Sequence, residues 1–173
     1  ITQEKNSCTI RVLTGNEKNE FDSAFNRLWF LVKDLSIESL QAIKSKNTIN
    51  LKNITILDKQ INKLSNYCLR ILLKKDHSDF KKTLEFYALV KVLEEIADKY
   101  KDLSNFLSSN LDRVSPAFLE NLNSLNVLLS TFHNIYKKYD DAQLELLFLE
   151  SKELLNSINL SKNGVNIKPI KKR

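Results

Sequence analysis

Apolar residues recur at alternating steps of three and four along most of this chain, and that spacing predicts helices with one apolar side. Polar breaks at residues 45–50 and 74–79 separate the first three helical segments. Their apolar positions are Phe21, Phe25, Leu28, Val32, Leu35, Ala42 and Ile43; then Ile54, Leu57, Ile61, Leu64, Cys68 and Ile71; then Phe86, Leu89, Leu93, Ile96, Tyr100, Leu103 and Leu107. Three such helices with short connections predict an antiparallel bundle.

Two further helices are predicted after a boundary at residues 109–116. Ser115 is placed to cap a helix whose first residue is Pro116, a combination that favours a helix start. The apolar positions of these helices are Phe118, Leu122, Leu125, Leu129, Phe132, Tyr136 and Tyr139; then Leu144, Leu147, Phe148, Leu154, Leu155 and Ile158. Asp140 or Asp141 would cap the last helix. No Gly or Pro separates the two, so one long helix remains an alternative.

The only strand candidate runs from Cys8 to Gly15, where the residues are β-prone and a glycine ends the run. A lone strand would have to pair with a missing segment, with a second copy, or with nothing. The predicted fold is all-α: a three-helix bundle followed by an incomplete second helical unit, with one short N-terminal strand. The units predicted are a strand and linker at 1–20, a three-helix unit at 21–110, a partial second unit at 111–160 and a basic tail at 161–173.

Composition narrows the class of protein. With only 2 Gly and 2 Pro in 173 residues, sandwiches, barrels and glycine-rich phosphate loops are disfavoured. The two cysteines are far apart, and Cys68 falls on an apolar stripe, so we expect a free buried thiol and a reducing compartment. No apolar run reaches about 20 residues and no signal-peptide pattern is present. These features predict a soluble, cytoplasmic protein.

The charge and the missing methionine add two expectations. The net charge is +6, but it is concentrated only at Lys168, Lys171, Lys172 and Arg173, which we interpret as a solvated tail rather than a DNA-binding arm. Because the chain contains no Met at all, we expect it to be a processed or excised piece of a longer protein.

Two pairs of polar residues form the only constellation that suggests chemistry. Glu94 and Asp98 lie four residues apart beside the apolar stripe of the third helix, as do Asp58 and Asn62 in the second. Two carboxylates at this spacing repel, and a cation that prefers oxygen ligands would offset the repulsion. The alternative is a solvated helix face in which Lys91 and Lys101, three or four residues away, pair with Glu94 and Asp98.

The remaining candidates suggest no catalysis. Trp29 and the other aromatics at helical spacing are expected in the core or at an interface. Because Trp29 lies one step off the stripe of Leu28, the second interpretation is that it flanks the core and marks a partner surface. His133 is expected to be a half-buried filler, and His77 to face solvent in a polar loop. Neither histidine follows a Glu at the third position before it, which argues against a ferritin-like di-metal enzyme. Nothing places a nucleophile beside an oriented base, so we predict that the chain is not an enzyme.

The helix Ala88–Asp98, with its Leu-Glu-Glu-Ile-Ala-Asp core, resembles the closing helix of a PhoU repeat. The run Leu57-Asp58-x-x-Ile61-Asn62-x-Leu64 is similar to the second helix in the archaeal branch of that family, and residues 25–32 are similar to the first. The resemblance covers about 21–108. PhoU proteins usually contain two such units, and many archaeal members carry an AbrB-like DNA-binding domain in front. Here residues 116–158 would be two helices of a second unit without its closing helix.

The resemblance implies a non-enzymatic regulator of phosphate uptake or phosphate signalling that binds a phosphate transporter or sensor. It implies a surface metal site at Asp58, Asn62, Glu94 and Asp98 for a divalent or ferric ion such as iron, zinc or magnesium, with Asn62 standing where an acid is preferred. The uncovered stripe of the last two helices predicts a homo-oligomer. The alternative function is the dimerising or effector domain of a transcriptional regulator whose DNA-binding domain is missing here, so that nucleic acid would be contacted only through that domain.

Overall fold

The computed structural model describes residues 2–4, 7–9, 17–74 and 80–164, and the side chains within 20–74 and 81–159. Five helices make up nearly all of it, so the chain is all-α, as predicted. The elements are β1 (Thr2–Glu4), β2 (Ser7–Thr9), α1 (Glu17–Lys44), α2 (Thr48–Lys74), α3 (Phe80–Ser108), a 3₁₀ turn (Leu111–Arg113), α4 (Pro116–Lys137) and α5 (Asp141–Gly164). Within these residues no helix is long and apolar enough to cross a membrane.

The two short strands pair with each other in antiparallel register, with Gln3 opposite Cys8. The expectation that a strand at Cys8 and Thr9 would find no partner inside this chain is therefore wrong, because Thr2–Glu4 supplies the ladder. The remainder of the predicted run, residues 10–15, lies outside the described residues.

The α1–α2 turn is tighter than the polar break predicted. Lys46 takes the left-handed conformation (φ 53°), which reverses the chain within a few residues. The Asn47 side chain then accepts hydrogen bonds from the backbone N–H groups of Ile49 and Asn50, both at 3.1 Å. An Asn at this position satisfies backbone donors that have no partner inside the helix, so α2 begins at Thr48, within the predicted break.

The later helix starts follow the predicted caps. Ser115 Oγ accepts the N–H of Phe118 at 3.1 Å with Pro116 as the first helical residue. Asp140 Oδ1 accepts the N–H of Gln143 at 3.1 Å and so caps α5. The backbone at Lys138 is extended, which ends α4 and makes the single-long-helix alternative wrong.

Two details of this region differ from the prediction. Tyr139 was placed on the inward stripe of the fourth helix, but it lies in the α4–α5 connection and is 67% exposed. The last helix continues to Gly164 rather than ending near Ile158. His77, predicted to lie in a polar loop, and residues 165–173 of the basic tail lie outside the described residues.

Helices α1, α2 and α3 pack against one another, α4 packs on α1, and α5 packs on α4. The buried core lies mainly in the first three helices, where Leu28, Leu35, Ile54, Ile61 and Val90 have no exposed surface. Each such side chain stabilises the fold by about 1.5–3 kcal/mol through removal from water. By contrast, Leu154, at 9% exposed, is the only buried side chain among those described in α5.

Aromatic rings join α1 to α4. Trp29 is fully buried and stacks on His133, with ring centroids 4.7 Å apart. It also meets Phe132 edge-on at 5.6 Å, and Phe25 meets Tyr136 in the same way at 5.6 Å. The interpretation that Trp29 flanks the core and marks a partner surface is therefore wrong, because α4 covers that side of α1. His133, expected to be half-buried, is 1% exposed for the same reason.

Candidate functional site

Three of the four predicted metal ligands come together where α2 faces α3. The Nζ atom of Lys101 lies 3.5 Å from Asp58 Oδ2 and also donates to Asp98 Oδ1. Asn62 Nδ2 donates to Asp58 Oδ2 at 3.4 Å. Residues three or four apart share a helix face, so Asp58 with Asn62 and Asp98 with Lys101 are each presented together. Lys101 is the bridge between the two helices.

Asp58 is buried, which corrects the prediction that it faces outward one step off the stripe. It is 3% exposed, because α2 packs against both α1 and α3 and therefore buries a wider sector than a two-helix seam. Burial raises the pKa of the Asp58 carboxyl above its ordinary value, and the ammonium of Lys101 offsets part of this rise. The charge of Asp98 adds to the rise.

Buried oxygen atoms without partners extend along this side of α2. Asp58 Oδ1, Asn62 Oδ1 and Ser65 Oγ have no hydrogen-bond partner among the described residues. They follow one another at steps of four and three, so they lie on one helix face. Buried polar atoms are normally satisfied by protein, water or an ion. These oxygens are thus chemically suited to a water molecule or a hard cation.

Glu94 forms a separate ion pair on α3, beside the cluster of Asp58, Asp98 and Lys101. Its carboxylate is bound by Lys91 on the same helix, three residues away, and its side chain is only 18% exposed. Asp98 is bound by Lys101 in the same way. Both acids of α3 therefore have a lysine partner, as the solvated-face interpretation expected for Lys91 and Lys101. The side chain of Glu94 is, however, less exposed to solvent than that interpretation implied.

These contacts limit how a metal could bind. A cation held by both Asp58 and Asp98 would compete with the Lys101 ammonium for the same oxygen atoms. Among the described residues no group of three or more His, Cys, Asp or Glu side chains is arranged to hold a metal ion. The donor chemistry fits a hard cation, but the site already contains a positive charge. Metal binding at Asp58, Asn62, Glu94 and Asp98 stays a prediction.

A polar junction that the sequence reasoning missed is centred on Asn126 of α4. The Tyr100 hydroxyl donates to Asn126 Oδ1, and Asn126 Nδ2 donates to the backbone oxygen of Ser36 at 2.9 Å. Asn126 is 8% exposed, and burial raises the pKa of Tyr100. These bonds tie α4 to both α3 and α1. Asn126 lies between Leu122 and Leu129 at helical spacing, and this position on the apolar stripe was a sequence signal that could have identified it as buried.

His133 is held in its neutral form. Burial, together with the positive charges of Lys137 and Lys33, lowers its pKa to about 4. Its Nε2 atom and the neighbouring Trp29 Nε1 atom have no hydrogen-bond partner among the described residues. The residue therefore acts as a packed aromatic ring at the α1–α4 junction.

An apolar groove of about 440 Å³ runs between α3, α4 and α5. Its walls are formed by Ile96, Leu125, Leu128, Phe132, Leu147 and Phe148, among others, and Lys99 is its only charged lining residue. The predicted inward positions of Leu125, Phe148 and Leu155 are wrong: these side chains are 44%, 59% and 60% exposed. No helix of the described chain covers that side of α4 and α5. We call this feature the α3–α4–α5 groove.

Comparison of the chain with protein-family models, with curated proteins and with solved structures gives no match. The likeness to PhoU repeats therefore stands on the residues named above.

Proposed function

We propose that this chain is a PhoU-like regulator of phosphate uptake or phosphate signalling that acts by binding another protein. The observation that carries the proposal is the meeting of Asp58 and Asn62 with Asp98 where α2 faces α3. The resemblance assigns the acidic motifs to the second and third helices of one three-helix unit. Side chains from both motifs lie in one cluster in a bundle with that order of helices, which supports the proposal.

The extensive packing of α1–α4 also supports a function that depends on binding another protein. The α1–α3 bundle has an extensive apolar core, and the Asn126 and Trp29 junctions fix α4 to it. Such a body can present a surface of constant shape to a partner. The partner implied by the resemblance is a phosphate transporter or a phosphate sensor. The surface we assign to this role is formed by the partly exposed Asp98 and Lys101, which lie beside the buried Asp58.

Phosphate uptake by cells that encode the chain tests the proposal. After a shift from phosphate-poor to phosphate-rich medium, wild-type cells should reduce their uptake of radioactive phosphate, whereas cells lacking the gene should continue at the high rate. The wild-type gene should restore control, and the Asp58→Asn/Asp98→Asn variant should not. Asp34→Asn, at an exposed carboxylate of α1, is the matched control and should restore control. A normal phosphate response in the deletion strain would contradict the proposal.

A further inference from the structure

A cleft of about 420 Å³ lies between α4 and α5, on a different side of α5 from the α3–α4–α5 groove. Its lining contains no lysine or arginine and three carboxylate residues, which are exposed. The rest of the lining is uncharged and includes apolar side chains, of which Leu154 is buried. The carboxylates are Glu120, Glu150 and Glu153, and the apolar residues are Val127, Leu128 and Leu154. We call this feature the α4–α5 cleft.

The carboxylates of the α4–α5 cleft have no ion-pair partner among the described residues, whose ion pairs all lie on α2 and α3. Glu150 and Glu153 are three residues apart on α5, where two like charges repel. Glu120 lines the same cleft from α4. A basic group in the cleft would offset this repulsion. The cleft therefore favours an occupant that carries positive charge and some apolar surface.

The chain contains a segment of that chemistry directly after α5. Residues 165–173 include four basic side chains and no acidic one. Three branched apolar residues are interspersed with them. The basic residues are Lys168, Lys171, Lys172 and Arg173, and the apolar ones are Val165, Ile167 and Ile170. The segment thus matches the cleft in charge and in apolar character.

The segment is also long enough to reach the cleft of its own chain. Gly164, the last residue of α5, follows Ser157 of the cleft by seven residues and Glu150 by 14. At a rise of about 1.5 Å per residue, the helix ends about 10 Å beyond Ser157 and about 21 Å beyond Glu150. Nine residues span at most about 30 Å when extended. The basic side chains can therefore return along α5 as far as Glu150.

We propose that residues 165–173 bind in the α4–α5 cleft of the same chain, with their basic side chains against Glu120, Glu150 and Glu153. A single exposed ion pair stabilises little, but several act together here. The occupant is also tethered, and a short tether gives an effective concentration of about millimolar order. The tether favours the chain's own tail over a separate basic segment at lower concentration. The tail that the sequence suggested to be solvated thus covers the cleft, and another basic segment would enter only by displacing it. This inference goes beyond the proposed function, and the phosphate experiment does not depend on it.

Crosslinking of the full chain locates the tail. A carbodiimide joins a carboxylate to a lysine amine when the two are in contact, and mass spectrometry identifies the joined residues. We expect the lysines of residues 165–173 to be joined to Glu120, Glu150 or Glu153. Isotope-labelled and unlabelled protein are mixed before crosslinking, so that joined peptides reveal their chain of origin. Each joined pair should carry one kind of label, because tail and cleft belong to the same chain.

Tryptic cleavage within the tail tests the part played by the carboxylates. Trypsin cuts after Lys171 and Lys172, and the intact mass shows the loss of the final residues. In Glu120→Gln/Glu150→Gln/Glu153→Gln this cleavage should be about tenfold faster than in the wild type, because the loss of several exposed ion pairs releases the tail. The cleavage rate follows the population of released tail. Circular dichroism checks that the helices of the variant are intact.

A second triple variant controls for the change in net charge. Asp34→Asn/Glu38→Gln/Glu145→Gln removes three exposed carboxylates that do not line the cleft. Its tail should be cut at the wild-type rate in dilute salt. Added salt should speed cleavage of the wild type and of this control toward the rate of the cleft variant, because it screens the ion pairs that hold the tail.

Three outcomes would overturn the inference. The first is a tail that forms no crosslink or is joined to acids outside the cleft. The second is a set of joined peptides with mixed labels, which would place the tail in the cleft of another copy. The third is an equal rate of tail cleavage in the two triple variants.

Discussion

The α1–α3 bundle and the α4–α5 pair are built from equally regular apolar stripes, yet they differ in how fully those stripes are covered. In the bundle each helix contacts the other two, and Leu28, Ile61 and Val90 have no exposed surface. In the pair, α5 packs on α4, and Phe148 and Leu155 stand mostly in solvent. Two helices cannot enclose two apolar faces. A stripe therefore predicts that a helix will be covered, but not by which chain.

The largest expected effect contrasts an aromatic residue from each region. Trp29→Ala should lower the free energy of unfolding by about 3–5 kcal/mol, since it empties a buried site packed between α1 and α4. Phe148→Ala should change it by about 0.5 kcal/mol or less in dilute protein, where α5 is uncovered. Urea unfolding followed by circular dichroism at 222 nm measures both. Equal losses would mean that the two regions are equally well packed and would break the comparison.

The next effect concerns acid and the junction between the two regions. The pKa of His133 is lowered to about 4 from an ordinary value of 6.5, so below pH 6.5 the unfolded chain takes up a proton that the folded chain does not. Stability should therefore be complete above pH 6.5 and should fall by about 3 kcal/mol as the pH drops to about 4. The raised pKa of Asp58 acts in the opposite sense, because protonation near its own pKa favours the folded form.

Urea unfolding at several pH values checks the His133 prediction. His133→Phe keeps an aromatic ring beside Trp29. Its stability should therefore not show the decrease between pH 6.5 and 4 that we expect from His133 in the wild type. The second histidine, His77, is present in both proteins, so their difference isolates His133. Parallel pH profiles for the two proteins would show that His133 does not titrate differently on folding.

A smaller effect is expected at the polar junction of α4. Asn126→Ala should cost about 1–3 kcal/mol, because it deprives the buried Tyr100 hydroxyl and the backbone oxygen of Ser36 of their partner. Asn123→Ala, at an exposed position of α4, is the control and should be nearly neutral. Thermal melts or urea curves compare the two. If both variants are equally stable, Asn126 does not hold α4 to the bundle.

The smallest effect concerns cation binding within the bundle. Lys101→Met should bind Mn²⁺ more tightly than the wild type, because the ammonium that contacts Asp58 and Asp98 no longer competes for their oxygens. Isothermal titration calorimetry measures the affinity. Adding Glu94→Gln and Asp98→Asn to Lys101→Met should remove the binding, whereas Glu38→Gln, at an exposed carboxylate of α1, should not. Equal Mn²⁺ affinity with and without Lys101 would argue against a cation site here.

Local signals in the sequence were sufficient to predict the helices and most of their limits. Steps of three and four marked all five helices, and Ser115, Pro116 and Asp140 marked two helix starts. The signals act within one helical turn, so a single sequence contains them. The start of α2 was misplaced because Asn47 caps it from inside a polar segment.

The errors share one physical origin. One interpretation placed Trp29 beside the core, and it is buried, whereas Phe148 was expected inside and is exposed. Asp58 was expected on the surface and is buried between helices. In each case the outcome depends on which helix packs on that side, and periodicity within one helix does not contain this information. The bridge formed by Lys101 joins residues from two helices, and for the same reason the sequence suggested this lysine only as a local partner.

Hydrogen exchange at two protein concentrations tests most directly the prediction that the uncovered apolar stripe of α4 and α5 is covered by another copy of the chain. Backbone amides of α5 should exchange quickly in dilute protein and become protected as the concentration rises into the dimeric range, because covered helices open less often. Amides of α2 should be equally protected at both concentrations, since their cover comes from their own chain. Protection of α5 that does not change with concentration would contradict the account.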